Sequence, residues 1–130
     1  MAIFDTDIFV WHFRGVPEAT DLLDQAQSVA ISIVTYMELL QGARNKREVQ
    51  IIRQLLRDLN TSVLPLSENI GYRAAIYIED YALSHGIRVV DAIIAATAIE
   101  YDLPLYSSNV KHFRMIPGLD LRLFQPGGAG

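Results

Sequence analysis

Ala2-Ile3-Phe4-Asp5 is a short apolar run that ends in an acid, and it predicts a buried β-strand at the start of the chain. Further apolar runs predict four more strands, at residues 29–33, 63–64, 105–107 and 121–124. Segments with helical spacing of apolar residues predict six helices, at residues 6–12, 18–27, 35–43, 47–59, 67–85 and 90–101. This alternation predicts the α/β class, as one three-layer α/β/α domain with a mostly parallel sheet.

Capping residues set several of the helix ends. Thr6 or Asp7 is expected to cap the first helix, and Ser67 the fifth. Gly86 follows the fifth helix and is typical of a C-terminal stop.

Length and composition favour one soluble domain over residues 1–126, followed by a flexible tail at 127–130. The chain has 130 residues, of which 51% are hydrophobic and 20% charged, so disorder is excluded. It begins without a basic or apolar leader, and its longest apolar stretch, 89–99, is too short to span a membrane. We therefore expect a cytoplasmic protein with no membrane contact.

The chain contains no cysteine, so a metal could be bound only through oxygen or histidine nitrogen. The net charge of −4 argues mildly against general nucleic-acid binding. It does not argue against a nuclease, because a metal ion can supply positive charge locally.

Three acids follow predicted strands or open predicted helices: Asp5, Glu38 and Asp91. Each has a simpler interpretation, since Asp5 and Asp91 could be helix caps and Glu38 a solvated side chain. Together they lie where an open parallel sheet gathers its ligands. Clustered carboxylates repel one another unless a cation neutralises them, and oxygen ligands select Mg²⁺ or Mn²⁺, which assist phosphoryl chemistry.

Four segments, in order, resemble the PIN domain, specifically the VapC-type toxins of bacterial toxin–antitoxin pairs. They are Ile3-Phe4-Asp5-Thr6-Asp7, Ser32-Ile33-Val34-Thr35-Tyr36-Met37-Glu38-Leu39-Leu40-Gln41-Gly42, Asp91-Ala92-Ile93-Ile94-Ala95-Ala96-Thr97-Ala98 and Leu105-Tyr106-Ser107-Ser108-Asn109-Val110-Lys111-His112-Phe113. The resemblance implies Mg²⁺- or Mn²⁺-dependent cleavage of structured RNA such as tRNA or rRNA, with Asp5, Glu38 and Asp91 as the metal-binding acids. It also implies a VapB-type antitoxin partner and a homodimer.

Four further residues are candidates for accessory roles. Ser107 lies where the family often has a serine or threonine near the acids, and Asp7 is expected to be a cap with an outer role at the site. The family often has a fourth acid in the last segment, whereas this chain has Asn109 and His112 there. A second tightly held metal ion is therefore doubtful.

Basic residues are candidates for contact with RNA. The candidates expected near the predicted site are Arg14, Arg44, Lys46 and Lys111. Whether Arg47 also contacts RNA is left open. Arg53 and Arg57 are interpreted as a solvated helix face.

Two other functions compete with the nuclease. Phe4-Asp5-Thr6-Asp7 resembles the paired aspartates of haloacid-dehalogenase-like phosphatases, although Ile8-Phe9 replace their Gly-Thr. A catalytically silent PIN-fold interaction module is the second alternative, because the fourth acid is missing.

Overall fold

The computed structural model describes residues 1–127, which form one five-stranded parallel sheet with helices on both faces. The strands are β1 (Ala2–Phe4), β2 (Val29–Ser32), β3 (Ser62–Leu64), β4 (Leu105–Ser107) and β5 (Leu121–Leu123). Their order across the sheet is β3-β2-β1-β4-β5, and every neighbouring pair is parallel. The predicted α/β fold is confirmed.

The helices follow the predicted ones within two residues at each end, with one addition. They are α1 (Thr6–Phe13), α2 (Pro17–Gln25), α3 (Ile33–Gln41), α4 (Lys46–Asp58), α5 (Glu68–His85), α6 (Val89–Glu100) and α7 (Val110–Phe113). The sequence did not predict α7, because four residues are too few to show a helical period.

The cap of α1 and the start of α3 differ from the prediction. Asp5, rather than Thr6 or Asp7, caps α1, and its Oδ1 accepts a 2.8 Å hydrogen bond from Thr6 N. Strand β2 ends one residue earlier than expected, and Ser32 caps α3 by accepting from Val34 N at 3.1 Å. Both corrections have one cause: each helix starts directly at the carboxyl end of its strand, so the last strand residue or its neighbour becomes the cap.

Successive strand residues point into two separate cores, one on each face of the sheet. Ile3 and Leu105 belong to the core beneath α5 and α6, whereas Phe4 and Ile31 belong to the core beneath α1 and α4. The alternation is the ordinary two-residue period of a strand. With both faces covered, the carboxyl edge of the sheet is where strand-terminal polar side chains can gather.

The predicted tail lies at the limit of the described residues. Gly127 N donates a 2.6 Å hydrogen bond to Oε2 of Glu18, while 128–130 lie outside the described part. Within residues 1–127, none of the helices has the length and apolar character needed to cross a membrane.

Candidate active site

One cavity of about 610 Å³ brings together the three acids predicted from the sequence. Its lining residues are Asp5, Thr6, Asp7, Val10, Glu38, Arg88, Val89, Val90, Asp91, Asn109 and His112. The acids come from the end of β1, from α3 and from the first turn of α6. Asp7 adds a fourth carboxyl group to the same cavity.

Asp5 is the most buried of these acids and is held on both oxygens. Ser107 Oγ donates to Oδ2 at 2.7 Å, and Thr6 N donates to Oδ1 at 2.8 Å. Burial, followed by the charge of Asp7, raises the pKa of Asp5 to about 8; the charge of Asp91 adds to the rise, and the two hydrogen bonds oppose it. The Asp5 carboxyl therefore stays largely protonated at neutral pH unless a cation compensates its charge.

Glu38 is oriented by a short chain of hydroxyl groups. Thr6 Oγ1 donates to Glu38 Oε1 at 2.6 Å, and Thr35 Oγ1 lies 3.1 Å from Thr6 Oγ1. A hydroxyl has one proton to donate, so buried Thr35 must donate to Thr6 while Thr6 donates to Glu38. Glu38 is thus a half-buried, fixed side chain rather than a solvated one.

Asp7 fixes the segment that follows β4. Its Oδ2 accepts from Ser108 N at 2.9 Å and also from Ser108 Oγ. Its Oδ1 is buried and has no hydrogen-bond partner within residues 1–127. Contrary to the prediction, Asp7 does not cap α1. The cost of removing its Oδ1 from water would be offset by a bound cation or water molecule.

Asp91 lies in the first turn of α6, at its third residue and three residues after Arg88, which occupies the N-cap position. Its Oδ2 lies 2.7 Å from His112 Nδ1 and 3.4 Å from Arg88 N. Asn109 links this contact to β4: its backbone N–H donates to Ser107 Oγ at 2.9 Å, and its Nδ2 lies 2.9 Å from His112 Nδ1. The accessory residues predicted in the last segment therefore form one network with Asp5 and Asp91.

The carboxylate oxygens suit a hard divalent ion, although they do not converge on one coordination site. The cavity is lined by four carboxyl groups, and carboxylate oxygens are the ligand chemistry of Mg²⁺ and Mn²⁺. Among the described residues, no three His, Asp or Glu side chains already stand in ligand positions. Each acid instead points to its own hydroxyl or imidazole partner, as repelling carboxylates do without a cation between them.

Arg88 is the one arginine that lines this cavity, and it was not among the site residues predicted from the sequence. It is exposed, and within the described chain its side chain forms no ion pair. Its place three residues before Asp91, at the start of a helix, was the signal that could have found it. Lys46 and Lys111 are exposed and line neither this cavity nor its neighbour.

A second cavity, of about 770 Å³, adjoins the first and shares Thr6, Val10 and Glu38 with it. Two of the predicted basic residues, Arg14 and Arg44, line it, and Arg44 is paired with Glu48 at 2.8 Å.

The second cavity also carries exposed apolar side chains. Val10, Phe13 and Ile51 all line it and are all exposed. Phe9 is buried in the core, whereas Phe13, four residues further along α1, is 42% exposed.

Comparisons of the sequence and the structure with known proteins agree on one family. The PIN domain family model matches residues 2–118. The chain is 37% identical to "Ribonuclease VapC10" of Mycobacterium tuberculosis over 98% of this chain and 96% of that protein. It is also 37% identical to "Ribonuclease VapC19" of the same organism, over 92% and 97%. A chain in a toxin–antitoxin complex from Klebsiella pneumoniae is similar in structure, with a TM-score of 0.77 and 32% identity over 92% of this chain and 95% of that one. The chain therefore belongs to the PIN domain family, and the curated relatives that it resembles are VapC ribonucleases.

Proposed function

We propose that this chain is a metal-dependent endoribonuclease that acts as the toxin of a toxin–antitoxin pair. The observation that carries the proposal is the single cavity lined by Asp5, Glu38 and Asp91 in a PIN-domain chain. The names of the two mycobacterial relatives support RNA as the substrate. The resemblance to VapC-type toxins favours a structured RNA such as tRNA or rRNA.

Asp5, Glu38 and Asp91 are the residues that would hold Mg²⁺ or Mn²⁺, with Asp7 beside them. When bound, such an ion neutralises the carboxylates, polarises the scissile phosphate and makes water a better nucleophile. The raised pKa of Asp5 supports this assignment, because a crowded, buried carboxyl group is ionised readily only beside a cation.

The remaining residues orient the acids and bind the substrate. Ser107 and Thr6 hold Asp5 and Glu38 in fixed directions, which favours attack from a defined geometry. Arg88, at the margin of the acidic cavity, is suited to contact a phosphate oxygen of the RNA. In the reaction, the oxygen of water bonds to phosphorus and loses a proton, and the bond from phosphorus to the leaving oxygen breaks as that oxygen gains a proton.

We further propose that an antitoxin of the VapB type inhibits the enzyme, and that the chain forms a homodimer. The toxin–antitoxin complex from Klebsiella pneumoniae supports the first point. The adjoining cavity, with Val10, Phe13 and Ile51 exposed, suits apolar side chains of such a partner. A basic side chain of the partner would then reach the carboxylates through the shared Glu38.

The experiment that tests this function is brief induction of the chain in cells without antitoxin, followed by sequencing of new RNA ends. The wild type is expected to stop growth and to create ends at a few defined positions. Asp5→Asn should abolish both effects, whereas Asp21→Asn, at an exposed position on α2, should leave them unchanged. Equal cleavage by the wild type and by Asp5→Asn would overturn the proposal.

The same variants, with one added measurement, separate the two alternatives. A catalytically silent module would retain its effect on growth in the Asp5→Asn variant and create no RNA ends. A haloacid-dehalogenase-like phosphatase would form a phosphoryl group on Asp5, which mass spectrometry of the acid-quenched protein detects. PIN family membership argues against the phosphatase.

A further inference from the structure

His112 joins three parts of the chain beside the acidic cavity. It lies on α7, its Nδ1 is 2.7 Å from Oδ2 of Asp91 in the first turn of α6, and its Nε2 lies next to Gly86 between α5 and α6. A Cβ atom built on Gly86 would be 3.9 Å from that Nε2. Both side chains of the pair are mostly buried, with 18% of His112 and 14% of Asp91 exposed.

The direction of the hydrogen bond follows from the partners. A carboxylate only accepts, so His112 Nδ1 must carry the hydrogen and donate to Asp91. The same Nδ1 cannot then accept from the Asn109 amide nitrogen, which lies 2.9 Å away. The Asn109 amide must therefore turn its oxygen towards the ring, and the weaker 3.4 Å contact from His112 N to Oδ1 is lost.

Asp91 depends on this ring as the other acids depend on their own hydroxyl partners. Asp5 is held by Ser107, and Glu38 by Thr6. Apart from His112, the hydrogen bond that Asp91 makes within the described residues is the 3.4 Å contact from Arg88 N. Without the imidazole, the Asp91 carboxylate would rotate away from the neighbouring acids, because like charges repel.

We infer that His112 is a positioning residue that fixes the Asp91 carboxylate for cation binding. This inference rests on the proposed metal-dependent function. The imidazole is not itself a metal ligand in this proposal, because its Nδ1 donates to Asp91 and its Nε2 lies beside Gly86. Loss of a side chain that hydrogen-bonds to a metal ligand commonly lowers metal affinity about 10- to 100-fold.

The test is a Mn²⁺ titration of the full chain by calorimetry, comparing wild type with His112→Ala and His112→Asn. His112→Ala should weaken Mn²⁺ binding about 10- to 100-fold. His112→Asn retains an N–H donor close to the Nδ1 position and should recover most of the affinity. His12→Ala is the control, because that ring bonds to Thr20 on α2.

Nitrogen NMR of the metal-free wild type gives an independent readout that needs no variant of His112 to fold. The His112 Nδ1 should carry a proton, and its resonance should shift in the Asp91→Asn variant. An unprotonated Nδ1 would overturn the inference. So would Mn²⁺ affinity that is unchanged in His112→Ala, or equally weak in His112→Asn.

Failure of the inference is distinct from failure of the proposed function. If the wild type binds Mn²⁺ and cleaves RNA but His112→Ala binds Mn²⁺ equally well, the positioning role alone is overturned. If the wild type binds no Mn²⁺, the metal-dependent function fails, and the positioning role fails with it.

Discussion

The Ser107 hydroxyl donates a 2.7 Å hydrogen bond to Oδ2 of Asp5, a residue 102 positions earlier in the chain. The contact exists because β1 and β4 are parallel neighbours, with Phe4 paired to Tyr106. The residue after each of these partners lies at the carboxyl edge of the sheet, so Asp5 and Ser107 meet there. The pairing of two short strands thus builds the centre of the candidate site.

Replacing Ser107 with alanine should lower the free energy of unfolding by about 1–3 kcal/mol, because a buried acceptor loses its donor. Asn109 N loses its acceptor in the same variant. Urea denaturation at pH 7 in EDTA measures the effect, and Ser107→Thr, which keeps the hydroxyl, should be close to wild type. Unchanged stability of Ser107→Ala would show that the hydrogen bond does not form.

Asp5→Asn should stabilise the metal-free protein, and increasingly so as the pH rises. The Asp5 pKa is about 8 in the folded chain and about 3.9 in an unfolded one, so the folded state binds more protons between these values. The wild type therefore loses stability as the pH rises from about 4 to about 8, whereas asparagine does not titrate. Urea denaturation at pH 5 and pH 8.5 in EDTA measures the two differences.

The matched control for this measurement is Asp21→Asn, which makes the same replacement at an exposed position on α2. A stability difference between Asp5→Asn and wild type that is equal at both pH values would contradict the burial and crowding of Asp5.

Mn²⁺ should raise the melting temperature of the wild type and leave that of Asp91→Asn nearly unchanged. A ligand at 100 times its dissociation constant stabilises a folded protein by about 2.7 kcal/mol. Differential scanning calorimetry with and without Mn²⁺ measures the shift. If Asp91→Asn responds as strongly as the wild type, the ion binds elsewhere on the chain.

Arg88→Ala should raise KM for RNA while leaving Mn²⁺ affinity unchanged, because it removes a phosphate contact. The slope of binding against the logarithm of salt concentration should fall by about 1. Arg122→Ala, which removes an arginine paired with Asp120 at 2.8 Å, should change neither quantity. A salt slope that is the same for Arg88→Ala and wild type would exclude the contact.

Most of the fold could be predicted from the sequence, because it depends on local patterns. Apolar runs and helical spacing gave the five strands and six of the seven helices found in the described residues. The position of three acids after strands or at helix starts was enough to predict that they would meet. The sheet order was not predicted, since strand pairing depends on contacts between distant segments.

The details of the site were less predictable, because they depend on how elements cross. Arg88 lines the acidic cavity because α6 starts beside the end of β1, whereas the sequence shows only that Arg88 lies three residues before Asp91. Thr6 was considered as a cap, yet its hydroxyl orients Glu38, which requires α1 to contact α3. Asp7 likewise bonds to Ser108, 101 residues away, rather than to its own helix.

The most direct test of the central claim is cleavage of end-labelled RNA by the purified full chain in Mn²⁺. Acids from three separate elements should act as one site. Nearly all activity should therefore be lost in each of the variants Asp5→Asn, Glu38→Gln and Asp91→Asn. The wild type should likewise be inactive in EDTA. Asp21→Asn should cleave like the wild type. Cleavage that persists in EDTA, or in any of the three variants at the wild-type rate, would contradict a metal-dependent nuclease at this cavity.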